Sequence, residues 1–88
     1  MNIQELRIEI DKIDNKIIDL LNKRMNFVNQ VGEIKKKNNE PVYRPEREKE
    51  IIDRLSNNSK GKLNHQAIKS IFQEVFAIAR NLESEDKI

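Results

Sequence analysis

Apolar residues recur every three or four positions through residues 5–37: Leu6, Ile10, Ile13, Ile17, Leu20, Leu21, Val28 and Val31. That stretch holds no Pro, and its only Gly is Gly32. The spacing predicts one long amphipathic helix over about residues 3–37. Asn2 suits its N-cap, with Glu5 as the reciprocal partner. Asn38 and Asn39 are poor helix formers, and Pro41 is expected to end the helix. Residues 38–44, NNEPVYR, then read as a connector. Pro45 fits the first turn of a second helix, over about residues 45–55, where Glu46 and Glu48 favour the positive end of the dipole. Its apolar face is Ile51, Ile52 and Leu55. SNNSKGK, residues 56–62, reads as a loop. Asn64 can cap a third helix over about residues 65–83, with Leu63 and Ile68 as a hydrophobic staple. The third stripe is Ile68, Ile71, Phe72, Val75, Phe76, Ala79 and Leu82, and Glu83 ends it. Residues 84–88, SEDKI, read as frayed. The pattern predicts an all-α fold of three helices, long, short and medium, forming one domain over residues 1–88.

Length changes this picture. The chain has 88 residues, and a compact domain of that size would be ~25 Å across. A helix over residues 5–37 is ~50 Å long. The remaining residues are too few to cover it, so a partner subunit is expected, a second copy being the commonest form.

Composition narrows the chemistry. The chain has no Cys and one His, so disulfides, thiolates, a nucleophilic triad and a His-based metal site are not expected. No Gly-rich phosphate loop occurs. No apolar run approaches the ~18 residues of a membrane span, and a cytoplasmic protein without membrane contact is expected. Charged residues are 36% of the chain, yet the net charge is only +2, which describes a solvated surface of mixed sign. The run Lys35-Lys36-Lys37 has no interleaved aromatic residue, so nucleic acid is not an expected partner. An enzyme built from these residues would use no cofactor and no metal. It would work by holding and polarising its substrate.

Two cations interrupt the first stripe. Arg24 follows Leu20 by four, and Lys35 follows Val31 by four, so Arg24, Val28, Val31 and Lys35 share a face. The two charges lie ~16 Å apart along the axis. Each could snorkel its stem over the core, but burial of either would require a counter-anion. Arg7, beside Leu6, is ordinarily explained by an ion pair with Asp11. Arg47 and Glu48 open the second helix as an exposed charged turn. Glu83 ends the third stripe, as a solvated helix end or, if buried, as a protonated donor. Together these groups point to a small anionic ligand, a carboxylate gripped by Arg and Lys.

Five segments carry a resemblance. They are L-R-x-x-I-D-x-I-D (Leu6 to Asp14), L-L-x-x-R (Leu20 to Arg24), V-G-x-I-K (Val31 to Lys35), V-Y-R-P-E-R-E (Val42 to Glu48), and I-F-x-E-V near Phe72 leading to R-N-L-E. In this order and spacing the chain resembles the all-α chorismate mutases, in particular the N-terminal domain of bifunctional chorismate mutase–prephenate dehydratases. The resemblance covers essentially the whole chain. It implies an intertwined homodimer whose two sites each draw on both chains, and rearrangement of chorismate to prephenate as the activity. Carried over by motif, Arg7 would bind a substrate carboxylate in the partner's site, and Arg24 the other carboxylate within its own chain. Lys35 would donate to the ether oxygen whose bond breaks. Glu48 would accept from the ring hydroxyl, and Arg47 would support the site by ion pairing.

The chain departs from this pattern at three positions. Arg44 stands where many relatives carry an Asp at the substrate's hydroxyl region, which leaves its backbone to contribute. Ala79 stands where some relatives carry a Ser that hydrogen-bonds a carboxylate. Glu83 stands where some use Gln to donate to the ether oxygen. Glu donates only when protonated, so activity is expected to fall as pH rises. The dehydratase and regulatory domains of the bifunctional relatives have no counterpart in these 88 residues. An isochorismate-pyruvate lyase would share the fold and an anionic ligand, but the E-R-E segment ending at Glu48 favours the mutase. A silent dimerisation or regulatory module would show the same stripes, yet gain nothing from Arg24 and Lys35.

Overall fold

The computed structural model of the protein describes residues 1–84. The expected fraying of the chain's end therefore lies outside the described residues, apart from Ser84, which is still helical. Three α-helices follow one another: α1 (Ile3–Asn38), α2 (Pro45–Asn58) and α3 (His65–Ser84). No strand occurs among the described residues.

The helix ends follow from local chemistry. The Glu5 N–H donates to Asn2 Oδ1 at 2.9 Å, which caps α1. The reverse contact from the Glu5 side chain is absent. α1 stops because Asn39 turns left-handed at φ 56°, before Pro41 is reached. Its N–H donates to the Lys36 carbonyl at 3.4 Å, and the Glu40 N–H to the Lys35 carbonyl at 2.9 Å, the paired bonds of a Schellman stop. Pro45 opens α2. α2 runs three residues past the expected Leu55. Leu55 packs on the core, Ser56 Oγ lies 3.0 Å from His65 Nδ1, and Ser59 Oγ donates to the Leu63 carbonyl at 2.7 Å. These contacts hold a segment whose composition favours a loop. Asn64 Oδ1 accepts from the Ala67 N–H at 2.9 Å and caps α3.

α3 packs against both α1 and α2, which do not pack on each other. Ile51, Ile52 and Phe76 form the buried cluster, with Leu55 and Phe72 against it. Ile68, Val75 and Ala79 extend it along α3. Ile71 was expected in this stripe but stands 48% exposed, on a flank that neither helix covers.

α1 is hardly covered at all. Its one buried residue is Gly32. Leu6, Ile10, Ile13, Ile17 and Leu20 are 47–63% exposed. The chain extends 54 Å along its longest axis, with a radius of gyration of 16.1 Å. A compact domain of this length would have a radius of gyration of ~12 Å. No helix among the described residues is long and apolar enough to cross a membrane.

Ile52 lies in the core and away from any cleft, so Ile52→Ala should cost about 2–5 kcal/mol in urea unfolding.

Candidate active site

The second half of α1, the connector, the start of α2 and the end of α3 enclose a cleft of about 310 Å³. Arg24, Val28, Val31 and Lys35 all line it, as their shared helical face requires. Arg44 enters from the end of the connector, Arg47 and Glu48 from α2, and Ala79, Arg80 and Glu83 from α3. Arg7 does not line it. Arg7 is exposed, sits ~40 Å along α1 from Lys35, and makes no ion pair with Asp11.

Lys35 does not snorkel. Its side chain is 16% exposed, and that of Glu83 is 8% exposed. Lys35 Nζ lies 2.9 Å from Glu83 Oε1 and donates to the Val42 carbonyl at 3.2 Å. One ammonium thus joins α1, the connector and α3. Glu83 is not a solvated helix end; it completes the cleft. Gly32 makes this possible. A Cβ there would stand 3.1 Å from Glu83 Cα and 3.2–3.3 Å from its side chain. A mid-helix Gly costs roughly 0.5–1 kcal/mol against Ala, and here the missing side chain lets α3 approach.

Five cations and two carboxylates line the cleft. Most of this charge is paired inside the protein. Arg80 Nη1 donates to Glu48 Oε2, and Arg47 to Glu50 Oε1. Arg44 pairs with Glu40 at 3.0 Å and lies 3.9 Å from Glu46, while its buried Nε has no partner. Arg24 has no carboxylate partner among the described residues. Its guanidinium carbon sits 5.9 and 5.8 Å from the ring centroids of Phe72 and Phe76. Burial lowers its pKa from the ordinary arginine value, and Arg47 and Arg54 push the same way. A half-buried cation beside two other cations is electrostatically unfinished; an anion in the cleft completes it. No group of three or more His, Cys, Asp or Glu among the described residues is placed to hold a metal.

Arg80 was missed by sequence reading. The signal was present, since Arg80 follows Phe76 by four as Arg24 follows Leu20. The aromatic floor beneath Arg24 and the Val42 carbonyl had no sequence signal, because both depend on how helices meet.

Residues 6–84 match the family model of chorismate mutase type II. The chain belongs to that family. It is 38% identical over 90 residues to the bifunctional chorismate mutase/prephenate dehydratase of Aquifex aeolicus, a match that spans 98% of this chain and 25% of that protein. The chain therefore spans about a quarter of the length of that relative. Among solved structures it resembles the chorismate mutase of Helicobacter pylori in complex with prephenate. The TM-score is 0.87 at 38% identity, covering 93% of this chain and 89% of that one. It also resembles form II of the Thermus thermophilus chorismate mutase, with a TM-score of 0.90 at 32% identity and 93% coverage of both chains. The chain shares the fold of those structures, and its cleft lies at the junction of its three helices.

Gly32→Ala tests how that junction is set. The added Cβ should displace the last turn of α3 by a few tenths of an ångström and lengthen the 2.9 Å Lys35–Glu83 contact. Stability should change by less than about 1 kcal/mol, because gained helix propensity offsets the contact. A crystal structure of the variant and its urea unfolding curve measure the two effects.

Proposed function

We propose that the protein is a chorismate mutase, converting chorismate to prephenate by a concerted [3,3] shift that breaks an ether C–O bond and forms a C–C bond. The observation that carries this reading is Arg24: a half-buried guanidinium on an aromatic floor, with no carboxylate partner among the described residues. A dicarboxylate substrate supplies the missing anion. A lyase or a silent interaction module gives no better account of the cleft, and an interaction helix gains nothing from an unpaired Arg24. We assign the work to the cytoplasm, in the biosynthesis of aromatic amino acids.

The rearrangement needs no nucleophile. It needs a folded conformer and stabilisation of negative charge on the ether oxygen. Arg24 would hold one carboxylate. Lys35 would donate to the ether oxygen, at the point where its ammonium already meets a carboxylate and a carbonyl. In a low-dielectric cleft such a donor is worth far more than in water. Glu48 would accept from the ring hydroxyl, with Arg47 supporting and Arg44 contributing through its backbone at the start of α2. Ala79 is buried and lines the cleft with a methyl group, so it offers no side-chain hydrogen bond. Glu83, when protonated, would donate beside Lys35.

The second carboxylate would be bound by Arg7 of the partner subunit. The bare stripe on α1 supports a homodimer in which two long helices cover each other. Loss of chorismate absorbance with purified protein, inhibited by a diacid transition-state mimic, tests the activity. No turnover would overturn it.

Complementation tests the shared site. Arg7→Ala and Lys35→Ala should each lose at least ~100-fold in kcat. Dimers re-formed from an equal mixture should recover about a quarter of the parental activity, since half are mixed and each mixed dimer has one intact site. No recovery would show that Arg7 serves its own chain or neither.

The Glu83 assignment predicts a pH profile. A carboxylate has no proton to donate, so turnover in the parent should decline as pH rises. Glu83→Gln should flatten the decline. A flat parental profile would remove Glu83 as a donor.

A further inference from the structure

We propose that Arg80 is the residue that positions Glu48 for the ligand's ring hydroxyl. This rests on the mutase reading. Arg80 lies on the row Phe72, Phe76, Arg80 of α3, so its stem leaves the core at the cleft. Its Nη1 donates to Glu48 Oε2 across the gap between α3 and α2. Its guanidinium carbon lies 5.1 Å from the centroid of the Tyr43 ring. Connector, α2 and α3 therefore meet at one planar cation.

The Glu48 side chain has no other partner among the described residues. Its neighbour Arg47 is turned to Glu50 instead. The two side chains are 35% exposed for Arg80 and 23% for Glu48, so the contact is partly screened from water. A glutamate with a free rotamer choice would have to be ordered by each ligand. Arg80 orders it beforehand through one oxygen and leaves Oε1 to accept from a hydroxyl. The planar guanidinium can face the Tyr43 ring while donating in its own plane; a lysine ammonium has no such plane.

Two other roles fit the same contact. Arg80 could merely tie α2 to α3, or it could touch the ligand directly. A double-mutant cycle separates them. Arg80→Met should lower kcat/KM by roughly 10- to 100-fold, the scale of a misplaced group. In the Glu48→Gln background the same substitution should have little further effect. Arg80→Lys should fall between the parent and Arg80→Met. Tyr43→Leu, which leaves the ion pair in place, should give a smaller loss that also vanishes with Glu48→Gln, and it serves if Arg80→Met folds poorly. Where Glu48→Gln turns over too slowly, the cycle is read in the Ki of a diacid transition-state mimic.

Losses that multiply in the double variant would overturn the assignment in favour of direct ligand contact. A shift in thermal unfolding with kcat/KM unchanged would overturn it in favour of a structural tie. Absence of turnover in the parent protein would instead overturn the mutase reading, and this assignment with it.

Discussion

The contact between Lys35 and Glu83 fixes where α1 and α3 meet, and the cleft exists because they meet there. Both side chains are largely withdrawn from water. Desolvating two charges offsets most of their attraction, so such a pair is weak evidence of stability. Its effect is on position. Gly32 lets the end of α3 come within a van der Waals distance of α1, and the Val42 carbonyl brings the connector onto the same ammonium. Losing the pair would leave α3 packed on α2 through Ile51, Ile52 and Phe76, but with its last turn held less firmly against α1.

Around that junction the charges divide into paired and unpaired. Arg80 with Glu48, Arg47 with Glu50, and Arg44 with Glu40 are neutralised inside the chain. Arg24 is left on two aromatic rings with further cations nearby. A cleft arranged this way prefers an anion without being a general polyanion surface, because the rest of the exposed charge is mixed in sign. Catalysis of a rearrangement that needs only positioning and charge stabilisation fits such a cleft.

The subunit is thin for its length. α1 buries one residue while presenting a row of large aliphatic side chains to solvent. The exposed aliphatic row begins on the half of α1 that carries Arg7 and ends beside the cleft.

Much of this was legible in the residues. The period of Leu6 through Val31 determined a long helix, Asn2 and Asn64 its first turn and that of α3, and Pro45 the start of α2. Arg24 and Lys35 stood out because a stripe spaced for burial should carry no charge. Other features were not legible. Helix α2 outran its expected end because Leu55 and Ser56 have tertiary partners. The left-handed Asn39 stops α1 ahead of Pro41. Glu83 reads along the chain as either a solvated end or a buried donor, and only the approach of α3 to Gly32 makes it a buried partner of Lys35. Arg80 sat in plain view at helical spacing, yet its meaning came from Glu48, 32 residues away. Periodicity is local and written into the chain. Which charge meets which across two helices depends on packing distances of a few ångströms, and those are set only when the helices dock.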